Sequence, residues 1–312
     1  MEEFLRCPCE SHKRLCDFGS EYCCSEQSCP HSQRGHGFKL VSEIPVLLSS
    51  KTNSVFSAEK YESHEYVDRE RSRFFSLAKK IFYFLNEYRA KNRIKRALSF
   101  IDVLSPRILI IGGGEVGAGV QYIYQQNLSP VVLDVYISPN VAYVADAHYL
   151  PFSDACFDLV ICQAVLEHVI EPSLVVSEIN RVLDSSGIVY AETPFMQQVH
   201  EGAYDFNRYT ILGHRKLFSR FRLIEQGAIS GAFTVLAWDI KYLLWALFRN
   251  KFLAQILSSP FLLFSPYLDL ILQGKYLFDN SGGNYFIGRK HEKRISDVEI
   301  IDSYRGAYEK NK

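Results

Sequence analysis

Residues 108–119, ILIIGGGEVGAG, constrain this chain more than any other stretch. Four aliphatic residues run straight into three glycines, and two more follow at Gly117 and Gly119. An apolar run without polar alternation predicts a strand buried on both faces, as in a parallel sheet. The glycines predict a tight turn whose backbone can take positive φ and approach a ligand with no Cβ in the way. A helix is expected from near Val116 through Val120, Tyr122 and Ile123. Strand, glycine turn and helix N-terminus together make a cradle for a nucleotide cofactor. Gly112-x-Gly114-x-x-Gly117 also satisfies GxGxxG, which leaves a dinucleotide as a rival ligand on this evidence alone. Asp134 closes the next apolar run about twenty residues on, where a carboxylate can accept from two ribose hydroxyls. Asp146 follows a short apolar strand, and the buried run Phe157–Cys162 delivers Gln163. All three side chains are therefore expected at the carboxyl edge of the sheet, where open α/β sheets bind ligands.

The stretch from Val141 to Val169, VAYVADAHYLPFSDACFDLVICQAVLEHV, separates the rivals. It resembles the centre of class I S-adenosylmethionine-dependent methyltransferases, in particular the broad small-molecule group with "AD…LPF…FD.V…LEH". The resemblance runs from about Arg107 to Phe221. It implies a Rossmann-like α/β fold with a seven-stranded sheet whose last strand is antiparallel. It also implies that Gly112 and Gly114 shape the loop around the methionine part of the cofactor; Gly117, third glycine of the motif, is counted with them among the cofactor-binding residues. By the same resemblance Asp134 holds the ribose, Asp146 and Ala147 meet the adenine, and Gln163 lies beside the cofactor. The family often carries an acid where this chain has Ile110, so the cofactor's amino group is left to Glu115 or a backbone carbonyl. Glu167 and His168 are read as supporting the pocket loop.

Acceptor chemistry is expected after the fifth strand (Ile188–Thr193), in PFMQQVHEGAYDFNRYT, residues 194–210. Methyl transfer from a sulfonium needs alignment above all. A hydroxyl acceptor also needs its proton removed. His200, with Asp205, is the candidate base. The competing reading pairs Asp205 with Arg208 to brace the loop and leaves His200 as pocket lining. The "H…DF.RYT" pattern resembles methyltransferases of bacterial polysaccharide and glycolipid pathways. There is no Asn/Asp-Pro-Pro-Tyr after strand four, as enzymes acting on planar amino groups carry, and Cys162 lacks a Pro-Cys context.

Six of the eight cysteines fall within the first 29 residues. No basic segment precedes an apolar one at the N-terminus, so no signal peptide is expected and the chain reads as cytoplasmic, where clustered thiols bind metal more often than they cross-link. Cys7 and Cys9 with Cys24 and Cys29 are the predicted ligands of a structural zinc. Cys16, Cys23, His12 and His31 are substitutes within reach, and the alternatives are a ribbon that has lost its metal and a redox role for the thiols. The segment resembles a small zinc-ribbon family whose stand-alone members activate tRNA and protein methyltransferases. Its members carry CPxC, a later cysteine pair, an aromatic and a closing "GIPVLL". Here the first pair is one residue shorter and Glu43 precedes IPVLL.

Residues 51–105 are expected to form a polar linker and two helices, one from about Val67 with Phe74, Leu77, Ile81 and Phe84, the other from Ala90 to Leu104. Lys91, Arg93, Lys95 and Arg96 read as a solvated face. Residues 229–283 separate two expected strands, Arg222–Ala228 and Asn284–Arg289, which the family joins by a short hairpin. Between Gly231 and Phe278 the only charges are Asp239, Lys241, Arg249, Lys251, Asp269 and Lys275. The uncharged window Phe252–Leu268 contains two prolines and falls short of the ~20 residues a span needs. A helical lid, a face lying in the membrane interface at the inner side, or a homodimer contact remain. The division predicted is 1–50, a zinc-ribbon-like segment; 51–105, linker and bridge; 106–290, the methyltransferase unit with its insertion; and 291–312, a charged, frayed tail.

Lys+Arg and Asp+Glu are both 35, so net charge is zero and argues against nucleic acid as the partner. The expected activity is methyl transfer to oxygen of a sugar, glycolipid or other small or amphipathic acceptor. The alternatives are an RNA base methyltransferase with a zinc knuckle, and a non-catalytic scaffold on the same fold.

Overall fold

A computed structural model describes residues 2–9, 12–49, 76–271 and 274–308. The linker expected at 51–63 and the start of the first helix, with Phe74, lie outside the described residues.

The N-terminal segment folds into four short antiparallel strands in the order β1 (Leu15–Asp17), β2 (Glu21–Cys24), β3 (Phe38–Val41) and β4 (Ile44–Pro45). Val41 pairs with Ile44 across a two-residue turn in which Ser42 and Glu43 both have positive φ. Such a turn matches the twist of the flanking strands and favours glycine. Glu43 occupies the position where the ribbon family has its glycine.

The main sheet runs β10-β11-β9-β8-β5-β6-β7. Its strands are β5 (Ile108–Ile111), β6 (Val131–Asp134), β7 (Tyr143–Val144), β8 (Phe157–Gln163), β9 (Leu183–Pro194), β10 (Phe221–Ser230) and β11 (Gly283–Lys290). Pairings from β7 through β9 are parallel, and β11 is antiparallel to both neighbours, as the resemblance implied. Alternation along the strands builds two apolar layers. Leu109 and Ile111 enter one cluster with Val160 and Val189, whereas Ile108 and Ile110 enter the other with Leu159 and Ile188.

Helix α1 (Ser76–Leu98) covers the second layer through Ile94 and Ala97. It replaces the two helices expected here, because neither Gly nor Pro interrupts 76–98. The helix after the glycine turn, α2 (Gln121–Gln125), begins later than expected; Gly119, at φ +76, delays it. Helix α3 (Pro172–Val182) has proline in its first turn and buries Val175, Val176, Ile179 and Val182 in the first layer. Helix α4 (Ile211–Leu217) follows, capped by the Thr210 hydroxyl.

The insertion between β10 and β11 is a pair of packed helices, α5 (Ala232–Phe248) and α6 (Lys251–Leu268), then the short α7 (Tyr276–Asp279). Asp269 is buried at the start of α5 and accepts from the N–H groups of Gly231 and Phe233 and from the Thr234 hydroxyl. Among the described residues no helix is long and apolar enough to cross a membrane. The tail is not frayed over 297–302: it forms α8 (Asp297–Asp302), closed by a reciprocal cap between Ser296 and Glu299 and anchored by buried Ile300.

The small sheet is continuous with the large one. Val46 bridges Val144 in parallel, and the Leu47 N–H donates to the Val144 carbonyl at 2.7 Å. The N-terminal segment thus covers the β7 edge, which would otherwise present unpaired backbone groups. Leu5, Leu15, Phe38 and Leu47 share a cluster with Leu133 and Phe157.

Candidate active site and thiol cluster

A cavity of 370 Å³ opens at the carboxyl ends of β5, β6 and β7. Of the residues expected to hold a cofactor, Gly112, Asp134, Asp146 and Ala147 line it. Gly112 has φ +74, and a Cβ there would lie 2.2 Å from Val165 Cγ2. Gly114 is packed so close to Asp134 that a Cβ would stand 2.8 Å from Oδ2. The Asp134 carboxylate accepts from the Gly114 N–H at 2.7 Å and the Val135 N–H at 2.7 Å. The acid expected to meet the ribose thus also ties the glycine turn to β6. Glu115 is exposed on the turn, and Ile110 is buried in the core beneath it.

Asp146 is buried and caps the turn that follows β7. One oxygen accepts from the His148 N–H at 2.9 Å and pairs with His148 Nδ1 at 2.6 Å. His148 Nε2 accepts from the Glu171 N–H at 3.2 Å. That histidine, together with Tyr136, Tyr149 and Tyr204, lines the cavity and was not singled out from the sequence. Its signal was its place two residues after Asp146, within reach of a local cap.

Gln163 and Gly117 lie to one side of the cavity. A Cβ on Gly117 would be 3.0 Å from Gln163 Oε1. Gln163 donates to the Ala118 carbonyl and to Glu192, while its Oε1 is buried without a hydrogen-bond partner among the described residues. Glu192 also receives Arg93 at 2.7 Å and the Tyr190 hydroxyl. Arg93 is therefore not on a solvated face: it is 9% exposed and stacks over Tyr285. Burial disfavours its charge, but Glu192 outweighs that and raises the guanidinium's pKa.

His200 and Asp205 meet. Asp205 Oδ2 lies 3.3 Å from His200 Nδ1 and accepts from its backbone N–H at 3.0 Å. Arg208 grips the same carboxylate with both terminal nitrogens. Asp205 therefore contacts both His200 and Arg208. Burial would raise the Asp205 carboxyl, but Arg208 and the His200 N–H bring it down to about 2. The His200 ring packs edge-on against His168, centroids 4.9 Å apart. His168 and Glu201 line the cavity; His200 and Asp205 are not in its lining, and His200 reaches it through the ring contact with His168. Beneath the two rings Glu167 is 1% exposed, with no hydrogen bond to either carboxylate oxygen among the described residues. Burial pushes its carboxyl up to about 8. The Glu167 carbonyl accepts from the N–H groups of Phe206 and Asn207, which supports the loop as expected. Ala164 enters this loop at φ 52, unusual for a residue with a Cβ.

The methyltransferase domain family matches residues 115–191, which span the cavity walls from the glycine turn to β9. The chain thus carries a methyltransferase domain on a Rossmann-like seven-stranded sheet. No curated protein matches the chain. Among solved structures, MccD protein is 20% identical, with 65% of this chain and 97% of that chain covered and a TM-score of 0.42. The Burkholderia thailandensis 1,6-didemethyltoxoflavin-N1-methyltransferase, solved with S-adenosylhomocysteine, is 12% identical, with 66% and 79% covered and a TM-score of 0.42. A chain from the complex of the Haloferax volcanii Trm112 methyltransferase activator with a methyltransferase is 16% identical, with 72% and 100% covered and a TM-score of 0.43.

The fold also brings the four predicted thiols together. The sulfurs of Cys7, Cys9, Cys24 and Cys29 all lie within 4.8 Å of one another, with Cys7 and Cys29 at 3.8 Å. Cys7, Cys24 and Cys29 are buried. Burial pushes the Cys24 thiol up to about 11 and the Cys7 thiol higher still, so a bound cation is what would hold them as thiolates. Cys16 and Cys23 pair across β1 and β2, outside this cluster. His31 instead contacts Ser49 and stacks on Phe38.

Proposed function

We propose that this methyltransferase methylates a hydroxyl oxygen on a sugar, a glycolipid or another small amphipathic acceptor. The observation that carries this reading is the His200–Asp205 pair beside the cofactor cavity. Asp205 holds Nδ1–H, which leaves Nε2 as the lone-pair nitrogen for an incoming hydroxyl proton. The cofactor supplies an electrophilic methyl on sulfur, to be attacked in line by the acceptor oxygen. Gly112 admits the cofactor's methionine part, Asp134 its ribose, and Asp146 with Ala147 its adenine. Gln163 and Gly117 brace the turn behind it, and Glu115 is the acid nearest in sequence for the amino group. Zinc on Cys7, Cys9, Cys24 and Cys29 is structural, because four thiolates leave no open position.

The insertion supports an amphipathic acceptor. Leu243, Leu247, Phe252, Phe261 and Phe264 are each at least half exposed. Helix α5 reaches the acceptor segment, where the Tyr242 hydroxyl donates to the Val199 carbonyl at 2.8 Å and Gln198 donates to Asp239.

The test incubates the protein and methyl-labelled cofactor with separate glycan, lipid and RNA fractions. Label is expected in glycan or lipid, and His200→Ala is expected to lower kcat by about 10²–10⁴-fold with cofactor affinity retained. Asp134→Ala is expected to abolish cofactor binding by calorimetry. Label in RNA alone would overturn the acceptor assignment.

A further inference from the structure

The cluster of Glu167, His168 and His200 is built in a way that loop support does not explain. Glu167 Oε1 lies 3.7 Å from His168 Nε2 and 3.9 Å from His200 Nε2. All three atoms fall within 4.8 Å of one another. These separations are too long for hydrogen bonds. They suit ligands around one ion, since bonds of ~2.0–2.2 Å set neighbouring ligand atoms about 3–4 Å apart.

The tautomers agree. His168 Nδ1 lies 2.7 Å from the Tyr204 carbonyl and must donate to it, so its Nε2 carries the lone pair. His200 Nδ1 faces the Asp205 carboxylate, so its Nε2 does likewise. A ligating histidine commonly hands its other N–H to a carbonyl or a carboxylate, which fixes the ring. Here one of each is present. Between the two lone pairs lies a carboxylate 1% exposed whose oxygens have no hydrogen-bond donor among the described residues. Arg208 is committed to Asp205 and to the carbonyls of Gln197 and Asn207. Three electron-pair donor atoms within 4.8 Å of one another, two of them on rings held by partners behind, make a site that a cation fits.

We infer that Glu167, His168 and His200 form a divalent-cation site at the wall of the cofactor cavity, with positions open to the acceptor oxygen. Two imidazoles and one carboxylate suit manganese, iron, cobalt or zinc better than magnesium or calcium. The His168 and His200 side chains are 21% and 31% exposed, so the site is reachable from solvent. Cation binding stands on these residues alone, whereas its catalytic task rests on the O-methyltransferase reading. Bound to the cation, the acceptor hydroxyl loses its proton to solvent water. Its oxygen pair then forms the bond to the methyl carbon, the carbon–sulfur bond breaks with its pair left on sulfur, and ether and thioether result. With the cation in place His200 Nε2 is a ligand and gives up the base role proposed for the cation-free site.

The experiment uses the full chain and Mn²⁺, a hard cation that the thiol cluster binds poorly. Electron paramagnetic resonance follows binding to wild type, Glu167→Gln, His168→Ala and His200→Ala, with the thermal unfolding transition as the check that each folds. One Mn²⁺ per chain is expected, at least about tenfold weaker in each variant. Equal binding by wild type and the folded variants, or none by wild type, would overturn the site. Failure to label any hydroxyl acceptor would sink the O-methyl reading while leaving the Mn²⁺ result standing. Labelling unaffected by chelation, yet abolished in His200→Ala, would overturn the cation's task and keep His200 as the base.

Discussion

His214 shows how much one buried group can set the chain's response to acid. It is 2% exposed, packed against Phe218 and Phe286, and its Nε2 has no hydrogen-bond partner among the described residues. Burial lowers its pKa from 6.5 to about 3. The folded state keeps this ring neutral while the unfolded chain protonates it, so the unfolded state binds more protons below pH 6.5. Stability is therefore full above about pH 6.5 and is lost as pH falls toward 3, by up to about 1.4 kcal/mol per pH unit. Urea titrations at pH 7 and pH 5 should show this loss in wild type and a shallower one, by on the order of 2 kcal/mol, in His214→Leu. Equal slopes would assign the acid sensitivity to other groups. Arg93 makes the complementary point about legibility. Ala90, Arg93, Ala97 and Ile94 fall at i, i+3, i+7 and i+4, so the arginine lies in its helix's buried stripe. Its charge suggested solvent, and its partner Glu192 lies 99 residues away, beyond the reach of any local pattern.

At the scale of elements, α5 and α6 form a hairpin whose outer surface carries Leu243, Leu247, Phe252, Phe261 and Phe264 among only a few charges. Exposed apolar area of this extent marks an interaction surface. Lys241, Arg249, Lys251 and Lys275 outnumber Asp239 around it, since Asp269 is buried as the cap of α5. Co-sedimentation with vesicles of mixed neutral and anionic lipid should show binding that weakens with salt. Leu243→Glu combined with Phe264→Glu should abolish it, leaving the thermal midpoint within a few degrees of wild type. Vesicle binding unaltered by the pair would remove this hairpin from membrane contact. The insertion's apolar character and limits were readable, because a long uncharged run interrupts a two-strand pattern. The single helix α1 and the ordered α8 were harder. The first has a polarity change but no breaker, and the second is held by one cap and one buried isoleucine in an otherwise charged tail.

For the whole molecule, the decisive join is between the ribbon and β7. Val46 and Leu47 extend the main sheet, and their neighbours enter its core. Stripping metal with a strong chelator, or replacing Cys24 by Ser, should therefore lower the single thermal transition of the entire chain and not melt an isolated N-terminal unit. Calorimetry showing two independent transitions, the larger unchanged, would refute this coupling. Several features were legible in the sequence: the glycine turn after a buried strand, the acids at or just after the ends of the next two strands, the four thiols, and, through the resemblance, a seven-stranded sheet with an antiparallel last strand. Each depends on residue type and spacing over a few positions, where sterics, periodicity and ligand chemistry act locally. Only the tertiary structure decided that His168 Nε2 and His200 Nε2 come to 3.7 and 3.9 Å from Glu167 Oε1, that Asp134 ties down the turn it was expected to serve, and that the ribbon closes the sheet edge. Those facts depend on where distant backbone segments come to rest. Burial then removes water, and each polar atom is left to be matched by whichever neighbour packing brings to it.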